Sequence, residues 1–224
     1  MKSSKFTAVF VALLMSISSL TIAQEISSEL DSISYTVGIL FAKNIKQQGI
    51  SRLNPEKVAE AINDYMTGAT TVIPEAQCQE MYRAYMEKVQ KNRMESAKSE
   101  GLQYLAENAK RPGVTVTESG LQYEVINTGK GDRKPSLTDE VETHYHGTTV
   151  DGTVFDSSVE RGEPISFPVN GVIKGWTEAL QMMSVGDKYR LVIPSELAYG
   201  ARGAGAKIPP HATLIFEVEL LGIK

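Results

Sequence analysis

Few residues of this chain have the types and spacing that chemistry needs. His144 and His146 stand two apart in a run, Val141 to Gly147, that alternates apolar and polar side chains. On a strand that spacing turns both imidazoles to one face, where they could share a metal, and turns Tyr145 to the other face with Val141 and Thr143. No further His or Cys lies nearby, and His211 stands in a distant loop, so no metal set is completed. Asp156 is a single carboxylate at a strand end with no second acid placed to work beside it. Ser157 and Ser158 lack the G-x-S-x-G context of a hydrolase nucleophile, and the glycine-rich segments match neither a P-loop nor a dinucleotide fingerprint. Cys78 falls in a helical pattern with no His at catalytic spacing and reads as structural, with pairing between chains as the alternative. The expectation is therefore a site without nucleophile, metal or cofactor.

What remains is aromatic and aliphatic: Tyr145, Phe155, Phe167, Val172, Ile173, Trp176, Tyr199, Ile208 and Phe216. These residues either form the core or floor and wall an apolar pocket, and Trp176, opening a short helix after Val172-Ile173-Lys174-Gly175, suits a floor. The stretch Pro194 to Leu221 carries the rim in the second reading. It places Tyr199 beside Gly200, Gly203 and Gly205, stiffens at Pro209-Pro210, and ends in the alternating strand Leu214 to Leu220. The small residues Gly203 to Ala206 predict an open, mobile rim.

The elements that must position these side chains change character near Arg111. Before it the period is helical. Leu30, Ile33, Val37, Leu40 and Phe41 make one apolar face, Gly49 stops that helix, and Asn54-Pro55-Glu56 starts another, with Asn54 as N-cap. A second stripe, Val58, Ala61, Ile62, Tyr65 and Met66, closes at Gly68. A third, longer helix starts at Thr71–Glu75, turns almost wholly polar over Gln90–Glu100, and stops at Arg111-Pro112-Gly113. A helix so polar is either a solvated rod between two bodies or paired with another chain. The first two helices are short for an independent core, which favours a dimerisation module on a stalk over a closed three-helix bundle. After Arg111 the period is that of strands, at Leu121–Val125, Val141–Gly147, Val154–Phe155 and Asp187–Ile193, with Trp176–Met183 as the one helical pattern. Antiparallel strands against one short helix make an α+β half-barrel.

The formal net charge of −4 offers no basic field for nucleic acid. Met1–Lys5 supplies a positive n-region, Phe6–Leu14 an apolar h-region, and Thr21-Ile22-Ala23 a small-residue cleavage site, the pattern of a secretory signal peptide cut after Ala23. An uncleaved anchor is the alternative, although the apolar run is too short and serine-broken to span lipid. No membrane span is expected in the mature chain. Its single cysteine leaves an exported protein without an internal disulfide.

Five motifs then carry a resemblance: His144-Tyr145-His146-Gly147, Asp151 to Ser158, Val172 to Trp176, Ala198-Tyr199-Gly200 and Ile208 to Leu214. From Gly120 to Lys224 the sequence resembles the FKBP-type peptidyl-prolyl cis-trans isomerases. Ser34 to Gly38 and the long third helix resemble the exported Mip/FkpA-like subgroup. The resemblance implies a signal peptide (1–23), a helical dimerisation domain (24–73), a stalk helix (74–111) and an isomerase domain (112–224) with an antiparallel half-barrel sheet wrapped on one short helix. Carried over by position, the catalytic residues would be Asp156, Tyr199 and the backbone N–H of Ile173, and the substrate-binding residues Tyr145, Phe155, Val172, Trp176, Ile208 and Phe216. It implies a homodimer through the N-terminal helices in the periplasm or cell envelope of a Gram-negative-type bacterium. Its partners would be proline-containing unfolded or exported polypeptides and macrolide inhibitors of the FK506/rapamycin type. Two positions depart from many members: Ile165 follows Pro164 where an aromatic is common, and Ala204 stands where several carry a bulky residue. Both thin the rim and bear on specificity. The competing readings are a holdase chaperone working through the dimer cleft, with isomerisation secondary, and a surface-binding factor that uses the fold only as a scaffold.

Overall fold

The computed structural model describes residues 28–224; the signal-peptide expectation lies outside the described residues. Two compact units are present, the first ending at Lys43 and the second running from Asn44 to Lys224. The first unit contributes most of α1 (Glu29–Gln47). No residue of that helix is buried, and Leu30, Ile33, Val37, Leu40 and Phe41 all stand in solvent. The face read from the sequence is real as a stripe and uncovered in the single chain.

Within the second unit, α2 (Pro55–Thr67) begins and ends where its residues dictate. The Asn54 side chain accepts from the Glu56 and Lys57 N–H groups, and Gly68 closes the helix in the left-handed region at φ 71°. α3 (Glu75–Asn108) starts at Glu75 behind Pro74 and runs 34 residues. Cys78 lies exposed on it.

Seven strands follow: β1 (Val114–Val116), β2 (Gln122–Asn127), β3 (Glu140–Thr149), β4 (Val154–Ser157), β5 (Ile165–Pro168), β6 (Lys188–Ile193) and β7 (Leu214–Ile223). They form one antiparallel sheet in the order β1-β2-β6-β7-β3-β4, with β5 also paired to β3. β3 and β7 alternate buried and half-buried residues along their length, as their sequences predict. Their inner faces, with Leu191 and Ile193 of β6, close on α5 (Lys174–Met182) through Trp176, Ala179 and Leu180. Gly175 lets that helix approach: a Cβ there would lie 2.5 Å from Ile193 Cγ2. The elements that escaped the sequence reading include the short strands β1 and β5 and the single-turn helix α4 (Ser158–Arg161), which Ser157 caps and Gly162 ends at φ 80°. The pairing of β2 with β6 shifts between Val125 and Asn127, and Val125 is exposed where alternation predicted an inward residue.

The larger difference concerns α3. Its polar stretch Gln90–Glu100 is mostly exposed, with Arg93, Met94 and Ala97 half-buried, and its last turns, from Gly101 to Asn108, meet the outer face of the sheet. Asn108, buried, donates to Gln122 Oε1 at 2.8 Å, and Gln122 donates to the Leu105 carbonyl at 3.0 Å. Arg190 of β6 donates to Asn108 Oδ1 and Tyr104, and Ala97 packs onto the core. Gly101 is buried against Thr213, with room for no side chain, since a Cβ would fall 2.5 Å from Thr213 Oγ1. The contact at the end of the helix is hydrogen-bonded and small-residue, so it leaves no apolar stripe to detect in the sequence. Gly101→Val should force the helix off Thr213. We expect a loss of about 1–3 kcal/mol, read as a lower Tm, with new proteolytic cleavage between residues 95 and 110; an unchanged Tm would mean the docking is not part of the fold.

Candidate active site

The chain's inner sheet face and the start of α5 enclose a cavity of about 850 Å³. β3 supplies Tyr145, β4 Phe155 and Asp156, the segment entering α5 Val172, Ile173 and Trp176, and β7 Phe216; the loop between β6 and β7 supplies Tyr199 and Ile208. Every residue that sequence reasoning placed in the pocket lines this one cavity. Ile165 and Ala204, the two departures, line it as well.

Ring geometry fixes the floor. Trp176, 4% exposed, meets Tyr145, Phe167 and Phe216 edge-on at centroid distances of 5.3, 5.5 and 5.2 Å. Phe155 meets Phe216 at 5.3 Å in the same manner. Edge-to-face contacts of this kind add to burial because each ring presents its positive edge to a negative face. They also hold four walls in one arrangement around Trp176. Gly147 makes the closest approach feasible: a Cβ there would fall 2.8 Å from both the Phe155 and Phe216 rings. Among the described residues the buried indole N–H of Trp176 has no acceptor.

The polar side of the cavity is one linked group. Tyr145 Oη donates to Asp156 Oδ2 and accepts from Arg161 Nη2 at 3.0 Å; Arg161 also pairs with Asp156 Oδ1 and sits 5.7 Å from the Tyr145 ring centre. The local sequence explains how Arg161 arrives. Ser157 Oγ caps α4 by accepting from the Glu160 N–H at 3.1 Å, and one turn later Arg161 folds back over Asp156. Arg161 is the residue that sequence reasoning missed. Its signal was the capping serine followed by Glu160, Arg161 and Gly162, too short a helix to show periodicity. Phe167, recognised as aromatic but assigned no place in the pocket, is the second omission.

Burial raises the Asp156 carboxyl, but hydrogen bonds from Tyr145 and Arg161, with the guanidinium charge, outweigh it and hold the group below its ordinary value. Burial, then the Asp156 hydrogen bond, pushes the Tyr145 hydroxyl up, so it stays a protonated donor. Arg161 is raised by its bonds to Tyr145 and Asp156. The His144 and His146 Nδ1 atoms lie 3.0 Å from Ser158 Oγ and Ser157 Oγ, and Ser158 Oγ accepts from the Tyr145 N–H at 2.7 Å. Both serines and both imidazoles thus brace the turn behind Asp156 rather than meet as a reactive set.

The Ile173 N–H and the Tyr199 hydroxyl are among the donors at the cavity that have no acceptor among the described residues. Ile173 N–H precedes the first turn of α5, whose N-terminal amides bond back to its carbonyl, and the half-exposed Tyr199 hydroxyl stands on the rim. The rim is hydrogen-bonded on two sides. Arg93 Nη2 of α3 donates to the Ala206 carbonyl at 3.0 Å, and Lys207 Nζ to the Val154 carbonyl of β4 at 2.9 Å. Ala204 and Ile208 further pair as an isolated antiparallel bridge. The linked polar group has a definite pH signature. A carboxyl lowered by folding keeps its partners above that lowered value and loses them as pH falls through it. NMR titration of Asp156 should give a midpoint below the ordinary carboxylate range, and Arg161→Ala should move it upward; an unmoved midpoint would break the assignment.

Comparison with known proteins adds sequence and fold relatives. Residues 131–221 match the model described as FKBP-type peptidyl-prolyl cis-trans isomerase, and residues 30–125 match the domain amino-terminal to it. The FKBP-type 22 kDa peptidyl-prolyl cis-trans isomerase of Escherichia coli strain K12 is 50% identical over 193 residues, covering 85% of this chain and 93% of its own. A protein named outer membrane protein MIP from Legionella longbeachae is 38% identical over 232 residues, covering 100% and 99%. The crystal structure of FkpA from Escherichia coli superposes with a TM-score of 0.62 at 32% identity, covering 89% of this chain and 99% of that one.

Proposed function

The chain belongs to the FKBP-type peptidyl-prolyl cis-trans isomerases, and from that premise we propose that X–Pro bonds of exported polypeptides rotate in the cavity over Trp176. The observation that carries the proposal is an apolar, aromatic-walled cavity with the Ile173 N–H and the Tyr199 hydroxyl among the unclaimed hydrogen-bond donors at its edge.

The reaction makes and breaks no covalent bond. Its barrier, about 18–20 kcal/mol, is the loss of amide resonance on twisting the C–N bond. A planar imide carries separated charge that water stabilises, and the twisted form carries less. Moving the bond among Phe155, Trp176 and Phe216 removes that water and so narrows the difference between the two. Trp176 is the floor beneath the proline ring, Tyr145, Phe155 and Phe216 are walls, and Val172 and Ile208 close the sides. The Ile173 N–H and Tyr199 hydroxyl fix the substrate by its carbonyls. Asp156, held ionised by Arg161, keeps Tyr145 in place and polarises one side of the pocket. Macrolides of the FK506/rapamycin type would occupy the same cavity.

Residues 24–73 form a dimerisation module, 74–111 a linking helix and 112–224 the isomerase domain. The exposed stripe of α1 and the exposed Ile62, Tyr65 and Met66 of α2 support pairing of two copies, since apolar faces this continuous rarely stay in water. The proposed location is the periplasm or cell envelope, reached by the signal peptide. Among the described residues no helix is long and apolar enough to cross a membrane. A second role as a holdase finds support in the exposed Met66, Met81, Tyr82 and Tyr85 on the helical half.

In a protease-coupled assay on proline peptides, Tyr199→Phe should lower kcat/KM about two- to tenfold, the worth of one hydrogen bond. Asp156→Ala should also lower it; full activity in the folded Asp156 variant would remove the pocket assignment. Removing residues 24–110 should take the assembly seen by light scattering from two chains to one and abolish suppression of aggregation while peptide turnover persists. Suppression that survives the cut would locate the chaperone role elsewhere.

A further inference from the structure

A second cavity, about 460 Å³, lies on the other side of the rim. Gly205, Ala206 and Ile208 line both cavities, so only the thickness of one strand of chain separates them. The two differ sharply in chemistry. The first is aromatic, whereas the second is lined by Arg93, Arg202, Asn44 and the amides of Gln47, Gln48 and Gln90, with no carboxylate among its lining residues. On the dividing ridge stands exposed Lys207, which lines the first cavity.

These three cations are uncompensated. Among the described residues none of Arg93, Arg202 or Lys207 enters an ion pair, while Asp156, the one carboxylate lining the first cavity, is taken by Arg161. The helix offers Arg93 no acid either: its neighbours one turn away are Val89, Gln90, Ser96 and Ala97. Arg93 and Lys207 donate to the neutral carbonyls of Ala206 and Val154, which orients both side chains and leaves their charge intact. A basic group of this kind is conspicuous on a chain of formal net charge −4.

Resting on the reading of the first cavity as the proline site, we infer that the ridge and the second cavity form a subsite for an acidic side chain flanking the proline. An extended chain advances about 3.3–3.6 Å per residue, so a side chain one to three positions from a seated proline crosses the ridge. Its carboxylate meets Lys207 on the crest or Arg93 and Arg202 beyond it, and the surrounding amides accept and donate to its backbone. The isomerase therefore discriminates among X–Pro sites by flanking charge, through binding rather than through the rotation itself.

The test uses full-length protein at low ionic strength and a set of proline peptides. Each carries Glu or Gln at one of the three positions on either side of the proline, beside an uncharged control. At one position or more the Glu peptide should exceed its Gln twin about three- to fivefold in kcat/KM, the range of partly exposed ion pairs, and through KM rather than kcat. That ratio should fall toward one in about 0.5 M salt and in the Arg93→Gln/Arg202→Gln/Lys207→Gln variant. Lys207→Gln alone should give a partial loss, which keeps the test informative if the triple variant folds poorly. A Glu-to-Gln ratio of one at every position, or a ratio indifferent to both salt and Lys207→Gln, overturns the subsite and leaves the proline site standing. No turnover of the uncharged control by folded protein overturns the reading of the first cavity instead.

Discussion

The edge-to-face packing around Trp176 is the constraint on which the rest of the domain depends. One indole touches Tyr145 of β3, Phe167 of β5 and Phe216 of β7, so it joins three strands to the start of α5. The same contacts leave the opposite side of the indole at the base of a cavity. Core and pocket are thus one aromatic cluster seen from two sides. Such a cluster resists collapse into the space above it, because each ring is already held at the distance and angle its neighbours prefer.

The linked group of Asp156, Tyr145 and Arg161 complements that cluster with charge. A carboxylate beside an apolar cavity would ordinarily take up a proton; here the guanidinium and the phenol oppose that, and Asp156 remains ionised. The phenol in turn is fixed against Trp176, so the charged group on the polar side of the cavity positions one of its walls. α4, four residues long, exists as the turn that returns Arg161 to this group.

The helical half and the sheet meet through polar contacts. Asn108, Gln122 and Arg190 satisfy one another across the outer sheet face, where Val192 is buried between its register partners Gln122 and Ile215. Farther along the same helix Arg93 reaches the pocket rim. The linking helix is therefore connected to the site chemically as well as by chain continuity.

By itself the sequence determined the α+β division near Arg111, the caps of α2, the alternation of β3 and β7 and the identity of the aromatic residues, because each depends on local periodicity or on a residue's own side chain. Its resemblance to a family also placed the catalytic and substrate-binding candidates, though not Arg161 or Phe167, since Tyr145, Trp176 and Tyr199 sit in motifs specific enough to carry them over. Only the tertiary structure decided that Arg161 joins Asp156, that Gly101 seats α3 on Thr213, and that Arg93 and Lys207 make hydrogen bonds at the rim. Those contacts bring together residues as far as 113 positions apart, through hydrogen bonds and small-residue approaches. Such contacts have no period in the chain: a glycine looks the same in a flexible loop and beneath a close approach, and an arginine's partner is chosen only once the backbone has brought one within reach.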